Sequence, residues 1–158
     1  MNIKLALASI ENKNTIENLM QFYIYDFSEY INCDVEENGL FAAYPHLDAY
    51  WREENRFPYI IAKDEKYVGF VLVRLIDSTN RSYFSIAEFF IMKKYRRQGI
   101  GKAVAQQIFD LHKGPWEVFQ KESNKPAQIF WNHVINEYTR GHFEDRLENG
   151  RRIQDFES

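Results

Sequence analysis

Residues 88–110 read EFFIMKKYRRQGIGKAVAQQIFD, and this stretch decides how the rest of the chain is interpreted. An apolar, aromatic run ends at two lysines and is followed by the six residues RRQGIG. Apolar residues then recur with the spacing of a helix. The pattern predicts a strand that enters a helix through a turn containing Gly99 and Gly101.

The predicted turn has the properties of an anion site. The first amides of a helix point the same way, and the helix dipole adds partial positive charge to them. Gly99 and Gly101 have no Cβ, so anionic oxygens can approach the backbone closely. Arg96, Arg97 and Lys102 add charge nearby. We therefore expect a phosphate or pyrophosphate ligand.

Two common phosphate-binding motifs do not fit this turn. A Walker P-loop needs glycine where Arg96 stands, and serine or threonine where Ala103 stands. A dinucleotide-binding Rossmann turn needs a third glycine where Val104 stands, in an early strand-helix-strand unit. Both motifs are therefore excluded.

Composition and length limit the possible functions. The 158 residues predict one domain, 1–158, and 16% aromatic residues suggest a well-filled core. A formal net charge of -3 gives no argument for nucleic acid, and no apolar run is long enough for a membrane span. The N-terminal stretch lacks signal-peptide features, and the single Cys33 predicts a reducing compartment, so we expect a cytoplasmic protein.

The rest of the chain predicts an α/β order of elements. A first strand over 3–9 precedes a helical rhythm from Thr15 to Ile31, which predicts one amphipathic helix or a broken pair of helices, and a second helical piece over 46–56. Further predicted elements are three antiparallel strands over 57–64, 67–77 and 83–93, a helix over 101–112, a strand over 116–120, a helix over 126–139 and a hairpin over 142–156. Asn149-Gly150 predicts the turn of that hairpin.

The stretch RRQGIG resembles the signature of the GNAT superfamily of N-acetyltransferases. Arg96, Gly99 and Gly101 occupy its fixed positions, and both the preceding strand and the order of elements are similar to that family over essentially the whole chain. The resemblance implies an α/β fold: a mixed central sheet with two splayed parallel strands, over 87–92 and 116–119, flanked by helices. The alternative is a glycine-rich turn with solvated basic residues.

The resemblance also implies acetyl-CoA as co-substrate and no metal. Backbone groups of the strand end would pair with the pantetheine arm, and amides over 97–102 would hold the pyrophosphate. The cofactor-binding residues implied in this way are Phe89, Phe90, Ile91, Arg96, Arg97, Gln98, Gly99, Ile100, Gly101, Lys102 and Asn124.

The segment NKPAQIFW carries a second family feature. Asn124 and Ala127 match its pattern, and Asn124 is implied either to touch the cofactor or an ordered water, or to cap a helix. The next position of the pattern often carries a tyrosine that protonates the departing thiolate, but here it is Trp131. An indole N–H does not release its proton near neutral pH, so the usual general acid is missing. His133 points away from residue 131 on a helix and is expected to be a core or surface histidine.

Glu88 is the candidate general base. It interrupts the apolar run SIAEFFIM, where a charge is costly unless it is paired or lies at a cleft. In resembling enzymes an acidic residue of this strand contacts the acceptor amine or its water. The alternatives are an exposed glutamate or an ion pair with a basic residue such as Arg74.

The expected reaction moves an acetyl group to a primary amine, either of a small molecule or of a protein. The resemblance implies that the early helices and their loop select the acceptor. Their aromatic and acidic residues favour a cationic amine. Two alternatives to an acetyltransferase are a non-catalytic CoA-binding regulatory module and an interaction domain that binds no cofactor. The sequence does not predict the oligomeric state.

Overall fold

The computed structural model describes residues 2–158. Its elements follow the predicted order. They are β1 Ile3–Leu7, α1 Lys13–Phe27, α2 Ala49–Arg52, β2 Arg56–Lys63, β3 Lys66–Asp77, β4 Ser82–Ile91, α3 Ile100–Leu111, β5 Pro115–Lys121, α4 Lys125–Thr139, β6 Glu144–Glu148 and β7 Arg151–Glu157, with short 3-10 turns at Ile10–Asn12 and Lys93–Tyr95.

The strands form a mixed sheet in the order β1-β2-β3-β4-β5-β7-β6. The β1–β2, β5–β7 and β6–β7 pairs are antiparallel, whereas β4 and β5 are parallel. The β4–β5 ladder among the described residues is registered at one pair, Phe84 with Trp116, while β5 pairs with β7 along its whole length. A mixed seven-stranded sheet flanked by helices confirms the predicted fold class.

Two tight turns set the register of the hairpins. Asp64 and Glu65 join β2 to β3 with φ of 48° and 64°, and Asn149 and Gly150 join β6 to β7 with φ of 52° and 76°. Two successive positive φ angles match the twist of antiparallel strands, which is why asparagine and glycine favour such turns. The hairpin predicted at Asn149-Gly150 is confirmed.

The first helical region is shorter than its apolar rhythm predicts. Helix α1 ends at Phe27, and residues 28–32 are turns. The Ser28 amide bonds to the Tyr25 carbonyl, three residues back, which tightens the last turn and ends the helix. The second helical region, predicted over 46–56, keeps only the single turn Ala49–Arg52. Neither of the two predicted alternatives, one helix or a broken pair of helices reaching Ile31, is observed.

Contacts divide the chain into two compact units. The first contains residues 2–73 and Glu88–Tyr95, and the second contains Arg74–Ala87 and Arg96–Ser158. The prediction of a single domain stays a prediction. In the first unit, α1 buries Ile16, Leu19 and Met20, and β3 is buried on both faces from Val68 to Val73.

The second unit is built around Phe109 of α3. Its ring centroid lies 5.0 Å from that of Trp116 on β5 and 4.9 Å from that of Phe156 on β7. Tyr138 of α4 lies at 5.1 Å. Helix α3 therefore packs on β5 and β7 through an aromatic core.

Among residues 2–158, no helix combines the length and apolar character needed to cross a bilayer. Within the same part of the chain, no three His, Cys, Asp or Glu side chains cluster in a way that could hold a metal ion.

Candidate active site

Glu88 lies near the end of β4, in the first unit. Glu88 is half-buried, and burial removes part of the hydration of its carboxyl group.

Two tyrosines lower the pKa of the Glu88 carboxyl group. One is Tyr23 of α1, and the other is Tyr44, in the connection between α1 and α2. Neither residue stands out in the sequence: Tyr23 is one of many apolar residues at helical spacing, and Tyr44 lies in a segment without regular pattern. The available signal was Glu88 itself, because an acidic residue within an apolar strand needs donors.

The environment of Glu88 acts on its pKa in two directions. Burial disfavours the charged form and raises the pKa, while the Tyr23 and Tyr44 hydroxyls stabilise the carboxylate and lower it. Burial is the larger effect and raises the pKa of Glu88 to about 7. A carboxylate whose pKa lies near neutral pH can both accept a proton and release it again.

The end of β4 is anchored by aromatic packing. The Phe90 ring lies 5.8 Å from both Phe70 and Tyr23. A Cβ atom added to Gly69 would lie 1.9 Å from the Phe90 carbonyl oxygen, so only glycine fits at that point of β3. These contacts hold the backbone of residues 89–91, whose predicted pairing with pantetheine stays a prediction.

The turn of the opening motif lies in the second unit. Arg97 and Gly99 both have left-handed backbone conformations, with φ of 61° and 80°. A non-glycine residue in this conformation is uncommon, and such strain concentrates at functional sites. A Cβ atom added to Gly99 would meet nothing within 4 Å, so the space beside it is open.

Helix α3 begins directly after this turn, with Gly99 as its N-cap and therefore no capping side chain. The Ala103 amide bonds to the Gly99 carbonyl at 3.1 Å. The amides of Ile100, Gly101 and Lys102 thus precede the hydrogen-bond ladder of the helix. These amides make no intrahelical hydrogen bond and lie next to two residues with left-handed backbone conformations. Such an arrangement can bind an anion.

The Lys102 side chain forms an ion pair with a residue of α4. Its ammonium group lies 2.6 Å from the Glu137 carboxylate of α4, and both side chains are about two-fifths exposed. Exposed ion pairs of this kind are weak, so an anionic ligand can compete for the lysine. The expectation that Lys102 adds charge beside the turn stays a prediction.

Asn124 is the N-cap of α4. Its side-chain oxygen accepts a hydrogen bond of 3.1 Å from the Ala127 amide, and Pro126 stands in the first turn. Capping, one of the two roles implied for Asn124, is therefore observed, while contact with the cofactor stays a prediction. Asn124 is buried at the start of the helix.

Trp131 is part of the second unit's core. It is 7% exposed, and its ring lies 6.4 Å from Phe109 and 5.0 Å from Phe130. His133, two residues later, is exposed and lies 3.6 Å from Glu137 one turn along α4. His133 is therefore a surface histidine, one of the two alternatives expected for it.

The acidic residues of the early helices are partly paired. Asp26 of α1 lies 3.5 Å from Lys93, and Asp48 pairs with Lys13. An acidic surface with lysine partners attracts an incoming cation less strongly than unpaired carboxylates would. The predicted preference for a cationic amine stays a prediction.

The predicted site residues fall into two groups. Glu88, Phe89, Phe90 and Ile91 belong to the first unit, and residues 96–102 with Asn124 belong to the second. The first group presents a carboxylate, and the second presents backbone amides and basic side chains.

Comparison with known proteins agrees with this geometry. A family model described as the acetyltransferase (GNAT) family matches residues 20–134. A search of curated proteins by sequence found no significant match.

Several solved structures share the fold. An N-acetyltransferase, PaiA, from Thermoplasma acidophilum in complex with coenzyme A is 13% identical, with a TM-score of 0.66 and 100% of each chain covered. Arabidopsis thaliana NAA60 with a bisubstrate analogue is 14% identical, with a TM-score of 0.61 and coverage of 99% of this chain and 98% of that one. An aminoglycoside acetyltransferase from an uncultured soil metagenomic sample, in complex with sisomicin, is 16% identical, with a TM-score of 0.61 and coverage of 84% and 86%. At these sequence identities, the similarity to the solved structures shows only that the fold is shared.

Proposed function

The chain belongs to the GNAT family of acetyltransferases, and on this premise we propose that it transfers an acetyl group from acetyl-CoA to a primary amine by direct attack in a ternary complex. Acetyl-CoA supplies the activated thioester. The protein must then bind both substrates and remove a proton from the amine.

Glu88 is the observation that carries this proposal. Most amines are protonated at neutral pH, and only the neutral amine can attack a carbonyl carbon. The Glu88 carboxylate, with a pKa raised by burial to about 7, accepts the amine proton directly or through one water. The amine nitrogen then forms a bond to the acetyl carbon as the bond from carbon to sulfur breaks.

The turn before α3 is proposed to bind the pyrophosphate of the co-substrate. The amides over 97–102 supply donors, Gly99 leaves open space for the phosphate oxygens, and Arg96 and Arg97 supply charge. Backbone groups of Phe89, Phe90 and Ile91 would pair with the pantetheine arm, and Asn124 would contact it beside its capping role. With recognition through backbone atoms, the glycines matter more than the identity of the side chain between them.

Release of the thiol does not require an acid in this proposal. Trp131 stands where a tyrosine would act, and an indole does not donate its proton near neutral pH. A thiol has a pKa of roughly 8.5, so the thiolate can leave and be protonated by water. The absence of a tyrosine at this position is therefore compatible with turnover.

The acceptor is proposed to be an amine of a small molecule or of a protein. Support comes from the aromatic and acidic residues in the first unit, including Asp26 and the tyrosines beside Glu88. Structures of similar fold contain an aminoglycoside in one case and a bisubstrate analogue in another, which supports an amine without selecting one.

A second candidate function is a non-catalytic CoA-binding module. The buried Trp131 favours it, because a degenerate enzyme can keep its cofactor turn after losing the acid. Both candidate functions predict that the protein binds CoA, but only the acetyltransferase predicts turnover.

A screen of amines separates these candidates. Free thiol released from acetyl-CoA is measured with polyamines, aminoglycosides, amino acids and peptides as acceptors, for wild type and for Glu88→Gln. Thermal stability is measured with CoA in parallel. We expect an acceptor for which wild type turns over and Glu88→Gln has a kcat/KM lower by about 10²-fold or more. CoA binding without turnover on any amine would support the regulatory module, and no binding at millimolar CoA would reject both.

A further inference from the structure

Strand β1 leaves one of its long sides unpaired. It stands at one end of the strand order, so within residues 2–158 only β2 pairs with it. The Ala8 amide bonds to the Pro58 carbonyl at 2.8 Å, and the Asp64 amide bonds to the Asn2 carbonyl at 3.3 Å. These two bonds bracket the antiparallel β1–β2 pair. They show that the even-numbered residues of β1 are the ones hydrogen-bonded to β2.

The odd-numbered residues of β1 therefore turn their backbone groups outward. In an antiparallel pair, residues that bond to the partner strand alternate with residues whose N–H and C=O groups point away from it. Ile3, Leu5 and Leu7 are at these outward positions. A row of unpaired amides and carbonyls along a strand is a template on which another strand can pair.

The side chains of this edge do little to block such pairing. Folded proteins usually protect an exposed edge strand with charged side chains, prolines or bulges. The sequence of β1 is IKLAL, in which Lys4 is the one charged residue and no proline occurs. Leu7 is 61% exposed, and Ile10, just beyond the strand, is 59% exposed. Exposed apolar side chains beside unpaired backbone groups favour contact with another chain.

The strand at the other end of the order, β6, is protected in the usual way. Its sequence is EDRLE. Arg146 forms ion pairs with Glu148 and with Asp155 of β7, and Asp145 forms one with Arg152. These charges are already paired within the chain, so they make β6 a poor partner for β1 of another copy. Pairing of β1 with β6 would also be head-to-tail and would build an open chain of copies.

Strand β1 is instead complementary to a second copy of itself. Antiparallel pairing centred on Leu5 brings each outward residue opposite another outward residue, with Ile3 facing Leu7 and Leu5 facing its own counterpart. The same register places Lys4 opposite Ala6, so no like charges face each other directly. Such an arrangement has two-fold symmetry and closes after two copies.

We propose that β1 is a dimerisation edge, at which two copies of this chain join their sheets by antiparallel pairing of Ile3–Leu7 about a two-fold axis at Leu5. The Leu7 side chain is then covered by the Ile3 side chain of the second copy. Pairing uses only the outward backbone groups of β1, so the β1–β2 hydrogen bonds stay intact. It does not involve Glu88 or the turn before α3, and it therefore stands apart from the proposed acetyl transfer.

Sedimentation velocity of the whole chain, between about 1 µM and about 1 mM, tests whether the dimer forms. Wild type should change from monomer to dimer within this range. Leu5→Pro removes an amide that points away from β2, so the fold should be kept, as for other prolines on edge strands. The variant should weaken the dimer by about tenfold or more, because two hydrogen bonds across the axis are lost. Circular dichroism and Tm establish that the variant is folded.

Leu147→Pro is the matched control on β6. Leu147 is 58% exposed and precedes Glu148, which faces Arg151 across the two-residue turn. The residues that flank such a turn bond to each other, so the Leu147 amide is at an outward position as well. This variant should dimerise like wild type. Equal weakening of the dimer by both prolines would overturn the proposal.

The charge at position 6 tests the register and keeps the proposal testable if Leu5→Pro does not fold. Ala6→Glu should place a carboxylate opposite Lys4 of the second copy, twice by symmetry, and tighten the dimer by about threefold or more. Ala6→Lys should weaken it by a similar factor, because like charges then face each other. Both effects should shrink at about 1 M salt. A dimer that tightens equally or weakens equally with both substitutions would overturn the register.

Amide hydrogen exchange, followed residue by residue by NMR, locates the pairing. The Leu5 amide should exchange at least about tenfold more slowly in concentrated than in dilute protein, because it donates to the second copy only in the dimer. The Ala6 amide, which bonds to β2, should exchange slowly in both samples. A Leu5 amide that still exchanges fast in a dimeric sample would overturn the proposal, since another surface would then form the dimer. A wild type that stays monomeric at about 1 mM would overturn it too, and would leave this edge to a strand of a different protein.

Discussion

A Cβ atom at position 69 would lie 1.9 Å from the carbonyl oxygen of Phe90, on the neighbouring strand. No pair of non-bonded carbon and oxygen atoms tolerates that distance, so one of the two strands would have to move. Phe90 is also adjacent in sequence to Phe89 and Ile91, whose backbone is proposed to pair with the pantetheine arm. Gly69 therefore connects the packing of β3 to the proposed binding of the co-substrate.

Gly69→Ala should destabilise the protein by roughly 1–3 kcal/mol, the usual cost of forcing an added methyl group into a packed interior. CoA should also bind more weakly, because relief of the clash displaces the Phe90 carbonyl. Urea denaturation and calorimetric titration with CoA measure the two effects. Gly39→Ala is the control, since a Cβ there meets nothing within 4 Å and only its φ of 81° is strained. Equal CoA affinity in Gly69→Ala and wild type would contradict this prediction.

Gly99→Val should abolish the rise in Tm that CoA produces in wild type. The added side chain enters the open space beside Gly99, where the pyrophosphate is proposed to lie. In wild type, CoA at 100 times its Kd should stabilise the fold by about 2.7 kcal/mol. Thermal unfolding with and without CoA measures this difference.

Gly150→Val is the matched control for that experiment. Gly150 has a φ of 76°, close to the 80° of Gly99, and a Cβ there also meets nothing within 4 Å. Both variants therefore carry a similar backbone strain, roughly 1–2 kcal/mol. Gly150→Val should keep the full response to CoA. A full response in Gly99→Val as well would move the anion site away from this turn.

Glu88→Gln should be stabilising at high pH. Burial raises the pKa of Glu88 from 4.5 to about 7 in the folded protein. The folded state therefore holds this proton more tightly, and the associated stability is complete below pH 4.5 and is lost as the pH rises through 7. The full shift corresponds to on the order of 3 kcal/mol, which remaining solvent contact reduces.

Urea denaturation of wild type and Glu88→Gln between pH 5 and pH 8 measures that effect. The difference in free energy of unfolding should move in favour of the glutamine variant as the pH rises, and should level off above pH 8. Glu54→Gln, at an exposed position in the first unit, should not reproduce this slope. A slope of opposite sign would mean that the two tyrosine hydroxyls outweigh burial at Glu88.

Trp131→Phe and Trp131→Tyr should change turnover on a proven acceptor by only a few fold. Trp131 is 7% exposed and packs near Phe109 and Phe130, so its substitution affects the core of the second unit first. Each variant should lower the free energy of unfolding by about 1–3 kcal/mol, through a cavity or a buried hydroxyl. Thiol-release kinetics and urea denaturation provide the measurements. A gain of tenfold or more in kcat with tyrosine would show that a missing acid limits the wild type.

The sequence by itself determined the order of elements and the turn that precedes α3, while the mixed sheet was implied by the resemblance to the GNAT superfamily. These features depend on local signals: apolar spacing, the Asn149-Gly150 turn, and glycines where the backbone is left-handed or where a helix begins. Glu88 was also visible in the sequence, because a charge within an apolar strand has no local explanation.

Tertiary structure alone decided what surrounds Glu88. Tyr23 looks like any other apolar residue of α1, and Tyr44 follows no pattern, yet both lower the pKa of the Glu88 carboxyl group. The pairing of Lys102 with Glu137 and the burial of Trp131 against Phe109 were likewise outside the reach of spacing arguments. Periodicity describes which face of one element is apolar, whereas a pKa or an ion pair depends on groups from several elements, whose distances are set only when those elements pack.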